Sequence, residues 1–289
     1  MVVMSGKVVA EQVRKEVREA CTVFVDQTGH TPCLAVVLVG SDAASATYVA
    51  SKGRTCEEMG FAHQDHLLGD STDEQTLLQL IDRLNEDEAV DGILVQLPLP
   101  KHLDEKRVIQ RIRPDKDVDG LHPVNMGKLL AGDRSFVACT PAGVLRMLDH
   151  YGIETAGKEA VIIGRSNIVG KPMAALLMQK GRDATVTVCH SRTRNLSEHT
   201  KRADIIVAAI GKPLALTGEM VKDGAVVVDV GINRIPDASR KRGYRLVGDV
   251  DYEQVSPRCS AITPVPGGVG PMTIAMLMEN TLQAAVLHH

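Results

Sequence analysis

The segment CLAVVLVG (33–40) contains no polar residue and ends in glycine. A strand with one face in water alternates polar and apolar side chains. One that is apolar throughout is covered on both faces, which calls for helices packed above and below a mostly parallel sheet. The flanking sequence supplies such helices. Val9, Val13, Val17, Cys21 and Phe24 recur every three or four positions and predict an amphipathic helix. ASATYVASKGRTCEEMG predicts a second helix that stops at Gly60. A weaker strand over 62–68, a helix from Asp73 to about Glu86 and the strand GILVQLPL (92–99) continue the alternation. Strand–helix repetition of this kind specifies an α/β layer architecture.

The stretch IRPDKDVDGLHPVN (112–125) interrupts the pattern with prolines and charges and marks a domain boundary. A second series follows: helix 141–151, strand 159–164, helix 170–180, strand 185–189, strands 204–210 and 225–231, and a shorter strand near 245–250. A final helix begins after the loop TPVPGGVG. The expectation is two α/β domains with a cleft between them. Residues 1–120 form the first, and residues 121–270 form the second, a Rossmann-like doubly wound parallel sheet. The last helix (271–289) packs back on the first domain.

Composition narrows the partners. Charged residues make up 24% of the chain with a net charge of −3, so no basic footprint for nucleic acid is present. Aromatic residues are 2% with no tryptophan, which also removes a base-stacking platform. The six cysteines show no CxxC pair and read as buried thiols of a reducing compartment. No segment resembles a secretory leader or a membrane span, so a cytoplasmic protein without a membrane partner is expected.

VIIGRSNIVGKP (161–172) has the shape of a dinucleotide turn: an apolar strand, a tight turn at Gly164, then a helix. The second glycine of the usual fingerprint is replaced by Ser166, with Arg165 between, and Gly170 comes late. Read plainly, Gly164 supplies a positive φ and Ser166 an N-cap. The strand–turn–helix context also suits an anion at the helix N-terminus. The next strand ends His190-Ser191-Arg192, where NAD-binding folds place an acid for the ribose 2′-hydroxyl. Ser191 and the guanidinium of Arg192 would instead hold a 2′-phosphate, as would Arg165, so the pattern favours NADP over NAD.

In the first domain, SATYVASK places Ser45, Tyr48 and Lys52 on one helix face. Any YxxxK pair is ordinarily a half-buried tyrosine and a solvated lysine. A catalytic role requires Lys52 to be desolvated, so that its neutral amine acts as a base. Gln96 is a polar residue inside an apolar strand: either it satisfies a buried backbone group or it lines a ligand site at the strand's C-terminal end. Asp117 and Asp119 in KDVDG fit a turn, or a carboxylate receiving N–H groups of a heterocycle. TPVPGGVGP, with its fixed φ angles and close-approach glycines, suits a ligand loop. His63 and His66 have metal-like spacing but no further ligand, so no metal is expected.

The motifs GSDAASATYVASK, GILVQLPLP, KDVDGLHPVNMG, CTPAGV, GRSNIVGKP, CHSRT, ADIIVAAIGKP, DVGIN, GDV and TPVPGGVGPMT occur in this order over essentially the whole chain. Together they resemble the bifunctional methylenetetrahydrofolate dehydrogenase/methenyltetrahydrofolate cyclohydrolase family. Departures are Ala138 before CTP and Leu121 at an apolar position. The resemblance implies NADP-dependent oxidation of 5,10-methylenetetrahydrofolate, hydrolysis of the methenyl product to 10-formyltetrahydrofolate, and a homodimer. It implies Lys52, Tyr48, Gln96 and Asp119 as catalytic residues. Folate contacts would come from these together with Val95, Leu97 and the loop Pro266, Gly267, Gly268, Val269 and Gly270. NADP contacts would come from Gly164, Arg165, Ser166, Ser191, Arg192 and the backbone of Ile232. Competing readings are a monofunctional NAD-dependent dehydrogenase, a non-catalytic nucleotide-binding module and an unrelated amino-acid or hydroxy-acid dehydrogenase. Lys52 and the basic 190–192 turn oppose the first, and the set Tyr48, Lys52, Gln96 and Asp119 opposes the second. The third lacks a His or Arg poised for a substrate carboxylate.

Overall fold

A computed structural model describes residues 1–240 and 243–289, the side chains of Ala43 and Ala44 excepted. In chain order the elements begin with β1 (Val2–Val3), α1 (Gly6–Thr28), β2 (Cys33–Val39), α2 (Ala43–Met59), β3 (Ala62–Leu68), α3 (Glu74–Glu86) and β4 (Gly92–Val95). Next come α4 (Glu105–Arg111), α5 (Pro123–Ala131), α6 (Cys139–His150), β5 (Glu159–Ile163), α7 (Gly170–Leu177), β6 (Thr185–Cys189), α8 (Leu196–Thr200) and β7 (Ile205–Ala208). The last are β8 (Val226–Asp229), β9 (Asn233–Pro236), β10 (Tyr244–Val247), α9 (Tyr252–Val255), β11 (Ala261–Ile262) and α10 (Gly270–His288). The chain divides into two compact units. The first holds Glu11–Cys139 with Ile274–His289, and the second holds Met1–Ala10 with Thr140–Thr273.

The first unit is built on a three-stranded parallel sheet in the order β3-β2-β4. Every residue of β2 is buried, as an apolar run without alternation requires. Leu77, Leu80, Ile81 and Leu84 of α3 pack with Ala35, Val37, Ile93 and Val95 in one core, each large side chain contributing about 1.5–3 kcal/mol by leaving water. Val13, Val17, Cys21 and Phe24 of α1 are all buried. Capping sets the helix limits. Asp42 accepts from the Ser45 amide to open α2, Gly60 closes it at φ 79°, and Asp73 accepts from the Thr76 amide to open α3. Residues 121–139, expected with the second domain, pack here: Asp117 receives the Leu121 and His122 amides, and Gly120 lies against the backbone of Val137. The closing helix is anchored in the same unit from Ile274 onward, with Asn280 Nδ2 donating to the carbonyls of Val118 and Val137.

The second unit holds a six-stranded sheet, parallel throughout, in the order β1-β11-β8-β7-β5-β6. β6 and β7 flank β5 on opposite sides, so the strand order reverses at β5, and crevices at such reversals are where open α/β sheets receive ligands. The expected strand near 245–250 is β10, which pairs antiparallel with β9 in a separate two-stranded ribbon. The expected strand 92–99 ends at Val95 and helix 170–180 ends at Leu177. Among the described residues no helix is long and apolar enough to cross a membrane. All six cysteines are buried free thiols.

Candidate active site

Three chemically active side chains of the first unit meet beside the end of β4. Lys52, on the third turn of α2, is only 7% exposed, and its Nζ donates to Gln96 Oε1 at 2.7 Å. Gln96 follows the strand rather than lying in it. Its amide N–H still donates to Val37 O, while its side-chain Nε2 donates to Leu97 O at 2.8 Å, which fixes the amide with its oxygen toward Lys52. Burial lowers the Lys52 pKa from its ordinary value, opposed by the charge of Asp119. Asp119 is half-buried. Burial raises its carboxyl, while the Lys52 charge and a hydrogen bond from the Cys139 thiol favour the anion. Burial thus shifts both groups toward their neutral forms, lowering the Lys52 amine and raising the Asp119 carboxyl, while the attraction between them opposes both shifts.

The neighbours divide into working and supporting groups. Tyr48 lies one turn before Lys52 and is 50% exposed, available to a ligand. Val95 packs in the core and Leu97 against it, so their side chains serve the sheet. Asp117 is 1% exposed and receives the Leu121 and His122 amides and Asn125 Nδ2. Burial pushes its carboxyl up to about 7 against those donors, and its work is to shape the turn. Sequence reasoning passed over Cys139 and Asn280. Asn280 Nδ2 bonds Val118 O at 2.8 Å and approaches Cys139 Sγ at 3.7 Å, tying the residue before Asp119 to the segment that carries the Cys139 thiol. Asn280, a polar residue in an apolar helix, carried the same signal as Gln96. His63 faces Glu57 at 3.6 Å and His66 faces Gln64 at 3.3 Å, away from any shared ligand set.

In the second unit the turn after β5 sits at the strand-order reversal. Gly164 has φ 133°, and a Cβ there would lie 2.2 Å from Ala209 O. Gly170, late for the usual fingerprint, packs α7 onto the turn: its Cβ would lie 2.2 Å from Gly164 O. Helix α7 starts at Gly170 with Val169 in the capping position, so Ser166 is not the N-cap; its hydroxyl accepts the Val169 amide at 3.1 Å and braces the turn. Ile163 pairs with Cys189, so Arg165 and Ser191, each two residues on, follow adjacent strands. Arg165, Ser191 and Arg192 are all exposed, and His190 stabilises their turn through the Arg192 and Thr193 amides. The glycine cradle, the helix N-terminus and two guanidinium groups fit a phosphorylated dinucleotide.

Further along the same unit, the Pro266–Gly270 loop lies against the start of the chain. Gly267, at φ 100°, accepts the Gly6 amide at 3.0 Å, and a Cβ on Gly6 would sit 1.8 Å from Gly268 O. Val269 is buried, and Gly270 faces Ile232. Ile232, 52% exposed, stands on a rigid shelf. Asp229 receives the amides of Gly231, Asp249 and Val250, while Asp249 receives those of Ile210 and Gly211 and Asn233 Nδ2. Burial pushes the Asp229 carboxyl up to about 6, against those amides. The shelf needs a glycine at 248, where a Cβ would lie 1.7 Å from Asp229 Oδ2. Gly248→Ala is expected to cost roughly 3 kcal/mol by overpacking and to lower Tm by about 6–12 °C. Gly127→Ala, in open space on a helix, should leave Tm unchanged or raise it. Equal melting curves for the Gly248 variant and wild type would contradict the shelf.

The family model described as tetrahydrofolate dehydrogenase/cyclohydrolase, catalytic domain, matches residues 4–119, and that described as its NAD(P)-binding domain matches residues 138–289. The chain is 54% identical over 288 residues, 98% of each chain, to the bifunctional protein FolD of Chlorobium luteolum. Its structure is similar to the bifunctional FolD methylenetetrahydrofolate dehydrogenase/cyclohydrolase of Campylobacter jejuni, with a TM-score of 0.95 and 48% identity over the whole of both chains. It is also similar to the Trypanosoma brucei FolD enzyme complexed with NADP cofactor and an inhibitor, with a TM-score of 0.93 and 40% identity over 98% of this chain and 97% of that one.

Proposed function

The chain belongs to the tetrahydrofolate dehydrogenase/cyclohydrolase family, and from this premise we infer that it oxidises 5,10-methylenetetrahydrofolate with NADP and hydrolyses the 5,10-methenyl product to 10-formyltetrahydrofolate. The observation that carries the second activity is the buried Lys52 amine 2.7 Å from Gln96 Oε1, its proton affinity lowered by burial. We assign folate recognition to Tyr48, Lys52, Gln96, Asp119, the backbone of Val95 and Leu97, and the Pro266–Gly270 loop. Asp119 receives N–H groups of the pterin. We assign NADP to Gly164, Arg165, Ser166, Ser191, Arg192 and the Ile232 backbone.

NADP, when bound, supplies the hydride acceptor for the methylene carbon. The substrate's own nitrogens stabilise the resulting cation, so this step asks the chain for positioning rather than proton transfer. Hydrolysis asks for more. Water adds to the methenyl carbon and one of its protons passes to neutral Lys52; as the carbon–N5 bond breaks, the remaining hydroxyl proton is transferred to N5 and the carbonyl of the 10-formyl group forms. Gln96 holds Nζ in place because its own N–H is tied to Leu97 O. A cationic substrate beside Lys52 further disfavours the ammonium form.

Supported by the family resemblance, we also propose that the chain works as a cytoplasmic homodimer. Sedimentation at micromolar concentration should report twice the 31.1 kDa chain mass, and a monomer would contradict it. The oxidation is tested by steady-state turnover of 5,10-methylenetetrahydrofolate with each nucleotide. Preferential turnover with NADP is expected, and failure with both nucleotides would overturn the dehydrogenase reading.

A further inference from the structure

At the other end of β4 from Gln96, three side chains of the first unit converge. Asp91 immediately precedes the strand and is fully buried. Its Oδ2 receives the Cys33 amide at 2.8 Å and lies 2.8 Å from His30 Nε2. Its Oδ1 has no hydrogen-bond partner, although His289 Nε2 and His288 Nδ1 each lie 3.5 Å away. The His30 and His289 rings stack with centroids 3.7 Å apart, and one ligand atom from each of His30, Asp91 and His289 falls within 4.8 Å of the others. His288 Nε2 is likewise buried without a hydrogen bond, 3.5 Å from Asp115 Oδ2.

A bare oxygen on a fully buried carboxylate is costly, and two imidazoles that approach it without bonding do not relieve it. A divalent cation does. Bonds of about 2.0–2.2 Å in tetrahedral geometry place ligand atoms roughly 3.4 Å apart; His289 Nε2 stands 3.5 Å from Asp91 Oδ1, close to that spacing, and His30 Nε2 stands 2.8 Å from the other oxygen, Oδ2, of the same carboxylate. Two imidazoles and one carboxylate suit a borderline ion such as Zn²⁺ rather than Mg²⁺ or Ca²⁺, which prefer all-oxygen sites. We propose that His30, Asp91 and His289 form a Zn²⁺-class site, with water in the fourth position, that clips the segment after α1 and the end of α10 to the N-terminal edge of the sheet. The site is separated from the Lys52–Gln96 pair by the length of β4, roughly 13 Å at about 3.3 Å per residue, so its role is structural.

The test uses the full chain, stripped with a chelator and titrated with Zn²⁺ against a chromophoric competitor. One Zn²⁺ per chain is expected, with affinity weakened at least tenfold in His30→Gln and separately in His289→Gln. Tm should rise with Zn²⁺ in wild type and not in either variant, and Mg²⁺ should not compete. Both variants spare Asp91, whose removal would free the Cys33 amide, and both should keep wild-type dehydrogenase and cyclohydrolase rates. Absence of stoichiometric uptake would overturn the proposal. So would uptake that survives His30→Gln, which would place the ion on the His288–His289 pair alone, or uptake lost only in His63→Gln.

Discussion

Replacing Lys52 by methionine is expected to lower cyclohydrolase turnover by about 10²–10⁴-fold, the usual contribution of a positioned base, while dehydrogenase turnover stays measurable. Methionine keeps an unbranched chain of similar length in the 7%-exposed site, so the variant folds and loses only the amine held by Gln96. The two activities separate because hydride transfer leaves a cation that the substrate's own nitrogens stabilise, whereas hydration must dispose of a proton. Burial lowers the Lys52 pKa from 10.5, so the base is present above that lowered value and hydrolysis declines as pH falls through it. The same shift enters stability with a definite sign. The unfolded chain holds this proton more tightly than the folded one, so stability rises with pH between the lowered value and 10.5. The methionine variant lacks that slope. Loss of both activities in a folded variant would give Lys52 a shared role, and retention of both would remove it as the base.

Replacing Arg165 by alanine is expected to raise the KM for NADP by roughly 5–150-fold, equivalent to about 1–3 kcal/mol for one charged hydrogen bond, and to leave NAD kinetics nearly unchanged. Arg165 and Ser191 follow the paired residues Ile163 and Cys189 at equal distance along adjacent strands, and both are exposed. No carboxylate stands among His190, Ser191 and Arg192 to repel a 2′-phosphate. Arg192→Ala should add to the loss, less than proportionally, because two guanidinium groups share one phosphate. Comparing kcat/KM for the two nucleotides decides the matter. An equal penalty on both would assign Arg165 to the pyrophosphate or to the turn itself.

Much of the layout was legible because it rests on local patterning. β2 is an apolar run between Pro32 and Gly40, β3 and β6 occupy the expected spans 62–68 and 185–189, and Gly60 and Asp73 end and open helices by capping chemistry. The two-residue strands β1 and β11 are too short to carry any period; partner strands specify them through bonds such as Val2 N to Ser260 O. Gln96 drew notice as a polar residue in an apolar run, but its place past the strand and its grip on Lys52 depend on packing between segments distant in sequence. The Asp229–Asp249 shelf is of the same kind, since its donors come from residues 210, 211, 231, 233, 249 and 250. Ser166 illustrates a narrower miss: a serine after a tight turn suggests a cap, yet the helix begins four residues later and the hydroxyl serves the turn.

The central claim is that one chain carries both reactions, and an absorbance time course with purified protein tests it most directly. 5,10-methylenetetrahydrofolate is supplied with NADP, and in a second cuvette 5,10-methenyltetrahydrofolate is supplied alone. NADP-dependent reduction in the first and methenyl decay faster than the uncatalysed rate in the second are the predicted results. Methenyl decay at the uncatalysed rate, with Lys52 and Gln96 both intact, would contradict the account and leave a dehydrogenase alone.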